Sequence, residues 1–292
     1  MANARDIKKR IKAVGNIKRI TRTMQMIATS KFARAQQRAT ASKPYTEGIF
    51  DLVTELAGRA GNISHPLIDG PSGGPKGKEL VLLLTSDRGL CGPYNGSLLR
   101  AAVGYFRKSP DMERLYEVVG RKGLGVLRFN KYDIHQHHAQ FGDTIHAEEV
   151  DRLATSYMDA FISGEISSVK VIYMRFISTA RQRPEVLQLL PLKPPASEED
   201  AKASGTSAQY EFSPDPETLL GDLLPEAVKA TLYQCFNDAV VSEHVARMIA
   251  MKAATDNASK MGRNLTRVYN RVRQAQITTE LTEIIGGAAA LE

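Results

Sequence analysis

The sequence predicts a mixed α/β protein: a long antiparallel two-helix coiled coil made by the N- and C-terminal arms, with a Rossmann-like α/β domain inserted between them. Three observations carry this. Both ends of the 292-residue chain hold long apolar seams that step by three and four, the helical period. The seams match in length, and neither buries itself alone. Between them, short apolar runs alternate with amphipathic stretches, the pattern of βαβ units in a mainly parallel sheet.

The N-terminal arm, residues 1–60, is predicted helical from residue 4 to about residue 57. Its apolar positions are Ile7, Ile11, Val14, Ile17, Ile20, Met24, Ile27, Ala28 and Phe32. Pro44 predicts a kink or a restart. Ile49, Phe50, Leu52, Val53 and Leu56 resume the pattern, and Gly58, Gly61 and Pro66 end it. Some 50 helical residues span roughly 75–80 Å, more than the width of a small domain, so this helix needs another long partner.

Residues 66–79 are rich in Gly and Pro and read as a loop. The α/β domain is placed at 75–209. Strands are predicted at 80–85, 115–119, 169–176 and 186–190, and helices at 95–108, 121–130 and 147–163. The polar stretch 192–209 reads as a surface loop. The C-terminal arm, 210–292, opens with Pro214 and Pro216. A short helix is expected from 216, a break or bend near Pro225, and then one long helix. Its seam runs through Leu232, Phe236, Val240, Val245, Met248, Met251, Ala254, Met261, Leu265, Val268, Val272, Ile277, Leu281 and Ile284. From 226 to 285 there is no proline and a single glycine, Gly262; about 60 such residues span about 90 Å.

Charge is distributed unevenly. Residues 1–40 hold eleven Lys/Arg against one acid, Asp6, and residues 244–274 hold seven against Asp256. The whole chain is only +7, so the remainder is acidic. Two basic arms call for an acidic partner: nucleic acid, anionic lipid or an acidic protein. A nucleic-acid-binding coiled coil is the competing class, and it predicts strong, salt-dependent DNA affinity. Against it, the basic residues are spread along an apolar seam without a run of interleaved aromatics for base stacking. Two cysteines far apart, Cys91 and Cys235, fit a reduced intracellular setting. Arg and Lys interrupt every early apolar run, which excludes a secretory signal. The helical spacing continuing through the Arg-rich start argues against a transit peptide. No run approaches the ~20 apolar residues of a membrane helix.

Catalytic and ligand motifs are weak. The glycines and Lys78 of 70–78 lack the spacing of a phosphate-binding loop, and the segment precedes a strand instead of following one. Gly120, Gly123 and Gly125 lack dinucleotide spacing and are expected to shape a strand-to-helix turn. His135, His137, His138 and His146 read as solvated loop histidines rather than a metal site. Cys91, in SDRGLCG, has no histidine base in its local motif and reads as a small, half-buried thiol. An enzyme built on the α/β domain therefore has no motif to rest on, and neither cofactor nor metal is expected.

Four segments closely resemble the gamma subunit family of rotary F-type ATP synthases. They are RDIKKRIKAVGNIKRITRTMQMIATSK at the start, LLLTSDRGLCGPYN at 82–95, and MKAATDNAS with VYNRVRQAQITTELTEIIGGAAA near the end. The resemblance covers nearly the whole chain; Pro93 stands where the family more usually has Gly. It implies a non-catalytic rotor shaft inside a hexamer of three alpha and three beta subunits, with the epsilon subunit and the membrane ring of c subunits at its foot. It also implies a peripheral protein on the cytoplasmic side of a bacterial inner membrane. By the same resemblance Met24 and Arg247 face the beta-subunit lever. Arg273, Gln274, Thr278 and Glu280 catch a beta-subunit loop, and Tyr210 belongs to the foot that meets the c ring. The family's photosynthetic forms carry a regulatory cysteine pair that this sequence lacks, so thiol switching is not expected.

Overall fold

The computed structural model describes residues 4–60, 65–70, 77–192 and 216–289. They form two compact units: residues up to 29 together with those from 247, and residues 30–246. Helices α1 (Ala4–Ala60) and α6 (Pro216–Ala289) contribute to both. In the first unit they lie antiparallel, as a two-helix coiled coil.

The second unit is built on a five-stranded sheet. In chain order its elements are α2 (Pro66–Asp69), β1 (Lys78–Leu84), α3 (Tyr94–Lys108), β2 (Arg114–Val119), α4 (Arg121–Phe129), β3 (Ile134–His138), α5 (Ala147–Ile162), β4 (Ile166–Phe176) and β5 (Gln182–Leu190). The strand order is β3-β2-β1-β4-β5. The first four strands pair parallel, and β5 closes the edge antiparallel to β4. Strand β1 is central and covered on both faces, which is why its sequence is a continuous apolar run instead of an alternating one. Leu80, Leu82 and Leu84 enter one core with α5 and the start of α6; Val81 and Leu83 enter the other with α3 and α4. The strand order reverses at β1, so right-handed crossovers place α3 and α4 on one face and α5 on the other.

The turn from β2 into α4 depends on Gly120, at φ +86°. A Cβ there would lie 2.2 Å from the Thr85 carbonyl oxygen, so only glycine fits. The Thr85 hydroxyl donates to the Val119 carbonyl (2.8 Å) and accepts from the Gly123 N–H (2.8 Å), fixing the start of α4 against the end of β1.

Three expectations are corrected. The histidine-rich stretch is not a loop but the edge strand β3, paired with β2 through Val118↔His137 and Val119↔His138. An edge strand needs little apolar sequence, so hydrophobicity alone did not reveal it. Of the break or bend expected near Pro225, the break is absent, because α6 is continuous through it. Proline normally clashes with the carbonyl four residues back, at a cost of about 3 kcal/mol. Here Leu220, Leu224, Ala227 and Val228 are buried on both sides of the proline, and their packing offsets that cost. Helix α1 likewise does not restart at Pro44 but runs through it to Ala60, with Ile49 and Val53 buried beyond it.

Buried charge is paired. Glu79 and Arg114, both nearly inaccessible, meet at 2.6 Å; Tyr105 donates to the same carboxylate, and Arg114 also donates to the Ser109 carbonyl. Such a pair is held by its extra hydrogen bonds, since Coulomb attraction alone does not offset desolvation. Asp238, buried on α6, accepts from the Gln234 amide (2.9 Å), yet burial still pushes its carboxyl up to about 6.

The folded state therefore binds a proton at Asp238 that the unfolded chain has released, and stability falls as pH rises from about 4 to about 6. Asp238→Asn keeps an acceptor for Gln234. It should flatten that slope and raise stability at pH 7 by on the order of 2 kcal/mol, read from urea midpoints between pH 4.5 and 7.5.

Candidate functional site

The first unit is where the two arms meet. On α1 the buried positions are Ile7, Val14, Thr21 and Ala28, each seven residues after the last. On α6 the buried or half-buried line is Met251, Thr255, Ala258, Gly262, Leu265, Tyr269 and Val272, stepping by four and three. Both are heptad spacings, the 3.5-residue period of a left-handed supercoil. The register is fixed by two contacts. The Thr255 hydroxyl donates to that of Thr21 at 2.8 Å. Seven residues further on, Gly262 sits opposite Val14, with a virtual Cβ 3.9 Å from Val14 Cγ1.

Small residues, Thr21, Ala28, Thr255, Ala258 and Gly262, share this seam with the larger Ile7, Val14, Met251 and Leu265. The larger side chains predicted for the seam lie partly elsewhere. Ile17, Ile20 and Ile27 are about half exposed on α1, as are Met261 and Val268 on α6. The sequence seam followed bulk, whereas the packed seam follows the heptad, and the two diverge within three turns.

Beyond Val272 every described residue to Gly287 is exposed, including Ile277, Leu281, Ile284 and Ile285. Continuing the register puts Val272 opposite Ala4, so no described residue of α1 lies beside this last stretch of α6.

The site residues expected from sequence fall as follows. Met24 is half-buried beside the seam between Thr21 and Ala28, and Arg247 is half-buried four residues before Met251. Arg273, Gln274, Thr278 and Glu280 are exposed on the last stretch of α6. Helical spacing puts Arg273 and Glu280 on one side and Gln274 with Thr278 on an adjoining one. The Thr278 hydroxyl donates to the Gln274 carbonyl at 3.0 Å. Tyr210 lies outside the described residues, as does most of the glycine-rich 70–78 stretch.

Groups suited to chemistry are engaged structurally. His138, expected to be solvated, is buried, with Nε2 2.7 Å from Glu117 Oε2; the same carboxylate accepts from the Tyr157 hydroxyl at 2.5 Å. The acidic partner and burial hold the Tyr157 hydroxyl protonated far above its usual range. Cys91 is fully rather than half buried, with Asn95 Nδ2 3.1 Å from its sulfur. Burial pushes the thiol of Cys235 up and keeps it inert. Asp143, Glu243 and His244 bring possible metal-ligand atoms within 4.8 Å of one another. The Lys31 ammonium already sits on the Asp143 carboxylate, making this an ion-pair cluster.

A heptad-paired helix unit and a doubly wound sheet in one chain define a coiled-coil stalk protein. The family model described as ATP synthase matches residues 3–291. The ATP synthase gamma chain of Rhodopirellula baltica is 41% identical over all of both chains, and that of Leptospira biflexa is 38% identical, again over the full length of both. The chain belongs to the ATP synthase gamma chain family. Its fold is shared with a chain of the Euglena gracilis mitochondrial ATP synthase rotor (TM-score 0.63, 16% identity, 94% of this chain and 98% of that one). It is shared too with a chain of the Tetrahymena thermophila central stalk and c-ring structure (TM-score 0.58, 20% identity, 80% and 99%).

The Thr21–Thr255 pair is a polar layer that fixes register within an otherwise apolar seam. Thr255→Val alone should destabilise the chain by about 1 kcal/mol, because it strips one partner from a buried hydroxyl. The double change to Val should recover most of that loss, and a double-mutant cycle on thermal unfolding measures the coupling.

Proposed function

We propose that this chain is the rotor shaft of a proton-translocating F-type ATP synthase and is not itself catalytic. In this reading the paired helices stand inside a hexamer of three alpha and three beta subunits. The sheet-bearing unit meets the epsilon subunit and the c-subunit ring. Proton flow turns the ring and the shaft with it. The complex works at the cytoplasmic face of a bacterial inner membrane, where this chain is peripheral; no described helix is long and apolar enough to cross a bilayer.

One observation carries the proposal beyond family membership. Large apolar and basic side chains are turned outward from the packed seam. Ile17, Ile20, Ile27 and Met261 are exposed on helices rich in Lys and Arg. A shaft that worked only by holding itself together would bury them. A shaft read by surrounding subunits presents them. Because its outer face differs from side to side, rotation offers each surrounding site a different contact in turn. Differential contact with the states of a partner is what shifts their relative free energies.

Met24 and Arg247 are proposed to face the beta-subunit lever. Arg273, Gln274, Thr278 and Glu280 are proposed to engage a beta-subunit loop, and Tyr210 the c ring. The exposed apolar residues near the end of α6 suit an apolar sleeve, in which fixed salt bridges would act as brakes.

Co-expression with the alpha and beta subunits of the same organism tests the proposal. One copy of this chain per three alpha–beta pairs, with ATP turnover that depends on it, is the expected result. A chain that stays apart and leaves turnover unchanged refutes it. Met24→Lys adds a charge beside the lever and should lower ATP-driven proton pumping relative to hydrolysis, measured in membrane vesicles. Truncation from Ala288 should leave assembly and turnover close to those of the full chain, measured on the purified complex.

A further inference from the structure

A loop between β3 and α5 gathers both long helices onto the sheet unit. Phe141 and Ile145 are its apolar anchors, each buried; Phe141 stacks on Phe236 of α6 with ring centroids 4.5 Å apart. Between them stands Asp143. Its Oδ2 takes the Lys31 ammonium of α1, and its carbonyl oxygen accepts from Arg38, one heptad further along the same helix, at 3.4 Å. Its Oδ1 lies 3.9 Å from Nε2 of His244 on α6, a side chain only 2% exposed. One aspartate thus addresses both helices, and it does so within three residues of where each passes into the coiled-coil unit.

We propose that Asp143 is a torque-bearing clasp: the contact that holds the rotational phase of α1 and α6 against the sheet unit. The proposal rests on the rotor reading above. Apolar packing resists separation, but it is non-directional and lets a helix roll under load. A charge pair with hydrogen bonds is directional. A loop whose aspartate bonds Lys31 of α1 and faces His244 of α6, beside the Phe141–Phe236 contact, penalises rolling of either helix. Asp143 is a positioning residue, since it acts through the helices and touches no nucleotide site.

The experiment uses the complete complex in membrane vesicles and measures proton pumping per ATP hydrolysed. Asp143→Asn keeps shape and the carbonyl acceptor for Arg38 but removes the charge that holds Lys31. The ratio should fall by about twofold or more, while hydrolysis by the complex stripped of its ring stays at the wild-type rate. The exchange Lys31→Asp with Asp143→Lys should restore the ratio, which a merely destabilising role would not. Should Asp143→Asn fail to assemble, Lys31→Met decides by the same ratio. A wild-type ratio in the variant, or no rescue by the exchange, overturns the clasp alone. A wild-type chain that supports no pumping overturns the rotor reading and the clasp with it.

Discussion

Burial of two seams too long to bury themselves governs the rest of this structure. An isolated helix of more than a few turns gains little from its own hydrogen bonds in water; its order comes from tertiary packing of one face. Here the packing face of each arm is supplied by the other, although more than two hundred residues separate Thr21 from Thr255 in the chain. Everything between must therefore return the chain to its starting point. The elements between the arms form a compact sheet unit, parallel but for one edge strand. The same demand explains why α6 tolerates Pro225. Interrupting that helix would forfeit the buried contacts of Leu220, Leu224 and Val228, which outweigh one missing hydrogen bond.

Much of this was legible in the residues. The arms announced themselves by step size, and the central strand β1 by an unbroken apolar run. What failed did so for identifiable reasons. Strand β3 is held by backbone pairing at a sheet edge and by a buried histidine bonded to Glu117, and neither leaves an apolar pattern. The packed seam was misread at Ile17, Ile20 and Ile27 because the period was followed through the largest side chains. Thr21 and Ala28 occupy the inner positions on the heptad line of Ile7 and Val14, where spacing and not side-chain size decides burial. The partner-facing residues came from family resemblance alone. Exposed helical positions such as Arg273 and Gln274 carry no intramolecular signature that sets them apart from any solvated face.

The polar interior follows a consistent economy of placement. Glu79 with Arg114, and Glu117 with His138 and Tyr157, are satisfied within the sheet unit. Each lies between strands and the helices covering them, so each restricts how those layers slide. Asp238 is the exception, a carboxylate whose burial is only partly compensated by Gln234. It marks a site where the fold has not been tuned for stability alone.

Val272 ends the doubled section. Past it, Arg273–Gly287 is a single helix by its exposure, and one helix flexes and twists more readily than two locked together. The molecule therefore carries a stiff length followed by a compliant one, and strain applied along α6 will gather in the compliant length.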